Sequence, residues 1–274
     1  MTIARVVLPG SLVAVCVFAT TSVIAQGNAL ATTTGQEIGV TLSDYKYSES
    51  GVTLKATKLG IDYAGTYAVS GGWFLKGELR YADGNATYNG TGTLNSIPDW
   101  YYEIRGLVGK DFSFGGYTLS PYTGLGYRYL FNDFRGITST GAVGYRRESN
   151  YYTLPIGVNH RVNLSNNAQL FTTIEYDYLI RGQQDSKLSD IVGFGGFTAA
   201  QDASNKQRSG YGFRLSSMYQ LNKWSVGPYL TLWHINDSDR VNVTGTRSGV
   251  TATAQVWEPT NNTTEVGIKA SYRF

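Results

Sequence analysis

Past its first 25 residues the chain has no cysteine, since Cys16 is the only one it contains. Disulfide scaffolds and thiolate metal sites are thereby excluded, and stability must come from packing and hydrogen bonding. Histidine is scarce, with 2 in the whole chain, so a cluster of imidazole ligands is excluded as well. No apolar run beyond residue 26 reaches the roughly 20 residues of a spanning helix. Charge is nearly balanced, Lys+Arg 23 against Asp+Glu 20, which gives no footing for nucleic acid. Proline is sparse at 6, while Gly 33 and Tyr 21 are abundant. An extracytoplasmic all-β chain fits this balance, as a secreted domain or as a membrane barrel.

The opening stretch, MTIARVVLPGSLVAVCVFATTSVIAQ, has one basic residue (Arg5), an apolar middle, and Val23 and Ala25 placed for a cut before Gln26. Residues 1–25 are expected to be a cleaved secretory leader, 26–34 a short lead, and 35–274 one domain.

Alternation then separates the two all-β classes, because a barrel shows lipid an apolar face and its lumen a polar one. About ten segments alternate. The clearest are WFLKGELRYA, with Trp73, Leu75, Leu79 and Tyr81 opposite Lys76, Glu78 and Arg80, and WYYEIRGLVG, with Tyr102, Ile104 and Val108 opposite Glu103 and Arg105. Elsewhere Lys58, Asp62, Arg128, Glu175, Asp177, Arg214, Glu265 and Lys269 fall on the same polar side. Charges on so many strands cannot face a sandwich core. Pro155 falls inside the sixth segment, so a bulge or a missing ladder bond is expected there. Short connections (VSGG, DFSFGG, HRVNLSNNA, NKW) alternate with long ones, near 83–99, 132–149, 182–209 and 236–262. Both chain ends are then expected at the short-turn rim. The last strand, TTEVGIKASYRF, is predicted to close on the first, with Phe274 at an interfacial aromatic girdle.

With LSPYTGLGYRYL, RRESNYYTLPIGV and WEPTNNTTEVGIKASYRF on view, the chain resembles the bacterial, Gram-negative outer-membrane β-barrel proteins. The resemblance implies an all-β, transmembrane, antiparallel up-and-down barrel in the outer membrane. It also implies outer-membrane lipids, the barrel assembly machinery and periplasmic chaperones as partners. Tyr272 and Phe274 would belong to the terminal signal read by that machinery, although Lys269 stands where members usually carry glycine, with Gly267 the nearest.

For the inward charges two readings stand side by side: a pore lining, or ion pairs that fill a narrow lumen, the latter preferred for about ten strands. Ten-stranded relatives include the omptin proteases, which use acidic residues and an Asp-His pair. Here His160 is expected in a short turn, and His234, in HINDSD near Asp237, Ser238 and Asp239, does not reproduce the Asp-x-His spacing. No cofactor and no metal site are predicted, because Asp237 and Asp239 lack the further oxygen ligands that calcium needs. The fourth long loop carries Ile191, Val192, Phe194 and Phe197 amid polar flanks, to be a constriction, a contact patch or a self-packed loop. The fifth, RVNVTGTRSGVTATAQV, reads as a hairpin above the membrane that extends the last two strands. The expected role is a non-enzymatic surface or envelope barrel working through its loops on an unidentified surface ligand. A narrow channel is the alternative, and a hydrolase comes third.

Overall fold

The computed structural model describes residues 30–165 and 168–274, so the leader expected over 1–25 and the start of the lead lie outside the described residues. Ten long strands make the wall: β1 (Gly35–Glu49), β2 (Val52–Ala68), β3 (Trp73–Gly90), β4 (Gly92–Lys110), β5 (Tyr117–Asp133), β6 (Arg146–Ser165), β7 (Ala168–Ser186), β8 (Gly210–Leu221), β9 (Trp224–Ile235) and β10 (Asn261–Arg273). Each pairs antiparallel with its neighbours in the chain, and β10 pairs with β1 from Glu37 opposite Arg273 to Glu49 opposite Asn261. Closure leaves the wall no free edge, which a sheet within lipid requires.

Both described ends meet at the short-turn rim: Gln36 N–H donates to the Phe274 carbonyl at 3.2 Å, and Phe274 N–H donates to the Gln36 carbonyl at 2.9 Å. The β2–β3 turn is tight enough to need a positive φ at Gly71 and Gly72, 72° and 78°.

Period-two patterning sorts the side chains as alternation requires. Val40, Leu59, Leu75, Ile104, Leu125, Ile156 and Ile268 are outward and exposed, whereas Lys58, Glu175 and Asp177 are buried inside. That inverts a soluble protein, and an apolar belt around a charged interior fits only a lipid surround. The ladder between β5 and β6 is interrupted opposite Leu154 and Pro155, and β6 shifts register against β7 after Tyr152. The donor that Pro155 lacks is absorbed by this irregularity, as expected.

Three expectations need correction. His160 lies within β6, opposite Leu119 and Thr172, because the alternation of Arg161, Val162, Asn163 and Leu164 carries the strand on to Ser165. Most of 83–99 is strand, since β3 and β4 run on to Gly90 and Gly92 and turn at Thr91. There Ala86 and Ile97 pack on Tyr45, Leu54 and Ala56, an apolar patch that keeps the hairpin extended above the belt. The hairpin in the fifth loop forms, as Val241–Arg247 and Val250–Val256, but it does not prolong the wall. It joins Phe197–Ala200 from the fourth loop in a separate three-stranded sheet.

Candidate functional site

Three layers fill the lumen. At the turn-side mouth the lead crosses as a strap. Arg161 Nη1 donates to the Leu30 carbonyl at 3.1 Å, and Arg161 Nη2 to Thr32 Oγ1 at 2.6 Å. Asp111 accepts from Thr32 Oγ1 at 2.9 Å and from Ser120 Oγ at 2.6 Å, while Arg273 Nη2 donates to Thr33 Oγ1 at 2.7 Å. These anchors were not singled out from sequence. Asp111 stands at a turn and Arg161 in a segment read as a loop, so neither belonged to an alternating row.

Above the strap sits a band of charge. Lys269 lies between Glu37 (3.4 Å) and Asp62 (3.3 Å), and Lys76 meets Glu78 at 2.6 Å. Arg105 bridges Glu78 and Glu175. Arg214 reaches three carboxylates from one strand: Glu103 at 2.8 Å, Asp177 at 2.7 Å and Glu175 at 3.1 Å. Across the lumen Glu265 accepts from Arg80 (2.9 Å), Tyr229 (2.8 Å), Tyr101 (2.8 Å) and Ser43 (2.9 Å). Lys58 and Asp99 pair at 2.8 Å, both fully buried. With Arg128 at the upper edge, 3.4 Å from Glu103, every inward charge picked out by alternation is placed in or against this band, and Tyr101, Tyr122 and Tyr229 join it. Tyrosines on the polar face of a strand were the available signal for those three.

The band is geometrically a stopper. Arginine on one strand and glutamate on the facing one span a lumen only a little wider than an eight-stranded barrel, which side chains fill. Above it an aromatic and aliphatic layer of Tyr151, Leu179, Trp233 and Ile235 closes the section. A pocket of about 30 Å³ lies among these side chains, room for about one water molecule. Arg128, buried and 3.4 Å from Glu103, has Nε and Nη2 without an acceptor among the described residues, and Trp233 Nε1 is likewise unpaired. Between the band and the strap lies a chamber of about 430 Å³ lined by Arg80, Arg105, Arg214, Glu78 and Lys269.

The loop residues are arranged differently. Val192 and Phe194 are exposed, Ile191 and Phe197 half-buried, and Arg247 lays its guanidinium over the Phe197 ring at 5.2 Å. None of these four side chains lines the lumen chamber or the small pocket in the layer above the band.

Nor does His234 meet an acid. Its ring lies tilted against that of Tyr211, centroids 5.2 Å apart, with Nδ1 2.8 Å from Asn262 Oδ1 and Nε2 3.0 Å from Asn236 Oδ1. Asp239 Oδ1 is occupied by the Lys206 N–H at 2.7 Å, and Ser238 Oγ donates to the Asp239 carbonyl at 2.7 Å. These residues therefore bring neither a Ser-His nor an Asp-His pair within hydrogen-bond reach.

No family model matches the chain, and no curated protein matches its sequence. Solved structures do resemble it. The outer membrane protease OmpT of Escherichia coli aligns over 92% of this chain and 100% of its own, with a TM-score of 0.60 at 9% identity. The translocator domain of the autotransporter NalP from Neisseria meningitidis aligns over 89% and 90%, with 0.42 at 14% identity. An outer membrane channel from Pseudomonas putida F1 aligns over 92% and 100%, with 0.43 at 8% identity. The likeness to the protease, at 9% identity, speaks for the fold and not for an activity. With its closed ten-stranded wall and exposed apolar belt, the protein has the fold of the bacterial outer-membrane β-barrels and spans that membrane.

Proposed function

We propose that the protein is a non-enzymatic outer-membrane barrel that works through its outer loops, in surface binding or envelope integrity, with a lumen built as a rigid post. The observation that carries this reading is the filled cross-section. Arg105, Arg214 and Arg80 each span to carboxylates on other strands, and the layer above them holds a pocket of only about 30 Å³. A solute path would have to break several buried ion pairs at once, each costly to separate. The loops, by contrast, carry ordered strands and exposed apolar side chains outside the membrane.

Tyr272 and Phe274 support a role for the last strand as the segment read by the assembly machinery and periplasmic chaperones. Tyr272 packs on Trp224 at 4.8 Å, and Phe274 is exposed at the rim.

Single-channel recording of the refolded protein in a planar bilayer tests the reading, with heat-modifiable gel mobility as proof of folding. A silent bilayer is expected, together with loss of surface binding or envelope integrity when the 187–202 loop is deleted. Reproducible conductance steps whose ion selectivity changes in Arg105→Glu would make the protein a narrow channel and overturn the proposal.

A further inference from the structure

The sheet that stands outside the barrel has an unusual border. Its strands run in the order Val250–Val256, Val241–Arg247, Phe197–Ala200, so Val250–Val256 has a neighbour on one side only. Residues 250–255 are exposed and Val256 is half-buried. The pairing with Val241–Arg247 is regular through all its residues, from Val241 opposite Val256 to Arg247 opposite Val250, with no bulge. Edge strands are ordinarily blunted by lysine, proline, a bulge or a covering loop, because their free backbone groups are a template for another strand. Val-Thr-Ala-Thr-Ala-Gln-Val has no charge, no proline and no irregularity.

The identity of the complementary strand is written in the segment itself, which reads nearly the same in both directions. Placed antiparallel to a copy of itself about Thr253, it sets Val250 opposite Val256, Ala252 opposite Ala254, Thr251 opposite Gln255, and Thr253 opposite its own copy. Small apolar side chains then share one face, continuing the row that Val241 and Val243 begin through their partners Val256 and Ala254. Hydroxyl and amide groups share the other, where Thr244 Oγ1 and Thr253 Oγ1 already lie 3.0 Å apart and Thr246 Oγ1 and Thr251 Oγ1 2.9 Å. Like charges, the usual bar to edge pairing, are missing from the strand. Of the nearby cations, Arg247 donates to the Gly195 carbonyl at 2.8 Å, while Arg240 lies over the Trp257 ring at 4.4 Å and donates to Gln255 Oε1 at 3.5 Å, so its charge is tied to the end of the strand and not set along it.

We propose that Val250–Val256 is a homotypic docking edge, through which two copies of this protein join their outer sheets by antiparallel β-pairing into one six-stranded sheet. The partner is thus a second copy of the chain, recognised by backbone hydrogen bonds and a self-complementary side-chain row. A single added strand buries well under the roughly 1,000 Å² of a stable specific interface, so one contact is weak and many copies on crowded membranes act together. The inference deepens the surface-binding reading and rests on it.

Cysteine pairing tests the register, in a Cys16→Ser background that removes the native thiol. Residues directly opposite in an antiparallel pair have Cα atoms about 4.5–5.5 Å apart, within disulfide reach. Thr253→Cys is therefore expected to give a disulfide dimer when outer-membrane vesicles carrying the folded protein are mildly oxidised. Thr251→Cys would face its own copy four residues away, about 13 Å along the strand, beyond that reach. It should yield at least several-fold less dimer, and the double variant Thr251→Cys/Gln255→Cys should restore it. Equal cross-linking at 251 and 253 would mean random collision, and no dimer at 253 in protein that still shows heat-modifiable mobility would mean no pairing. Either result overturns the proposal. Neither touches the bilayer recording, so loss of the partner and loss of the loop-based reading remain distinguishable.

Discussion

Glu103, Ile104 and Arg105 are consecutive in β4, yet they inhabit opposite worlds. Glu103 is 4% exposed and Ile104 49% exposed, so the charged residue is the hidden one. Arg105 turns back inside to Glu78 and Glu175. One peptide step exchanges a site where a charge must be paired for one where no charge is tolerated. The inward face is held by directional contacts whose loss strands a partner, and the outward face by its mere lack of polarity. The two faces should therefore fail in different ways.

The largest effect is expected from stranding a cation. Glu103→Ala takes the two hydrogen bonds that Arg214 gives to Glu103, leaving Arg214 its bond to Asp177, and takes from Arg128 its one close carboxylate among the described residues. Removing one member of a buried pair costs about 3–5 kcal/mol. Urea titration of the folded, heat-modifiable band should show that loss, and an unchanged midpoint would mean that water screens the band. Next comes the outward neighbour. Ile104→Arg places a charge near mid-belt, where lipid-facing arginine costs about 2–4 kcal/mol. The same titration reads it, and a cost near zero would put Ile104 outside the hydrocarbon.

A smaller change sharpens the comparison within the lumen. Tyr229→Phe keeps the ring but deletes the hydroxyl that donates to Glu265 at 2.8 Å and accepts from Arg80 Nη2 at 2.6 Å. A hydrogen bond to a charged group contributes about 1.5–3 kcal/mol, so the midpoint should fall by less than for Glu103→Ala. Equality of the two would show that hydroxyls, not ion pairs, hold the band.

Much of this arrangement was legible because period two is a property of the strand alone. Once Trp73, Leu75 and Leu79 face lipid, Lys76, Glu78 and Arg80 have nowhere to go but inward. Which carboxylate meets which arginine was not legible. Arg214 meets Glu103, 111 residues earlier in the chain, because curvature brings β4 opposite β8, and no local pattern encodes the barrel's cross-section. The strap was hidden for a related reason, since Asp111 and Arg161 become a clasp only when the lead lies across the mouth. In the outer sheet, the hairpin's alternation was visible, but its union with Phe197–Ala200 joins two loops that never alternate with one another.

The smallest effect belongs to an ion pair outside the membrane, where water competes for both partners. Arg146 grips Asp190 with Nε and Nη2, each at 2.8 Å, and pins the loop after β7 to the start of β6. The hydrogen bond from Arg146 holds the Asp190 carboxyl below its ordinary value. A lowered pKa in the folded state favours folding above the unfolded value, near pH 4, and that support disappears as pH falls through the lowered one. The clasp should therefore be constant from neutral pH down to about pH 4 and loosen only below it. Hydrogen exchange over residues 187–193, corrected for the intrinsic rate at each pH, reads the opening. Asp190→Asn should show at neutral pH the faster exchange that the wild type shows in acid, with the barrel strands unchanged in both. If acid speeds exchange in that variant as much as in the wild type, a group other than Asp190 governs the loop. A pair whose arginine stands in water contributes little to the stability of the whole. Its loss frees one loop, whereas the loss of Glu103 loosens the wall.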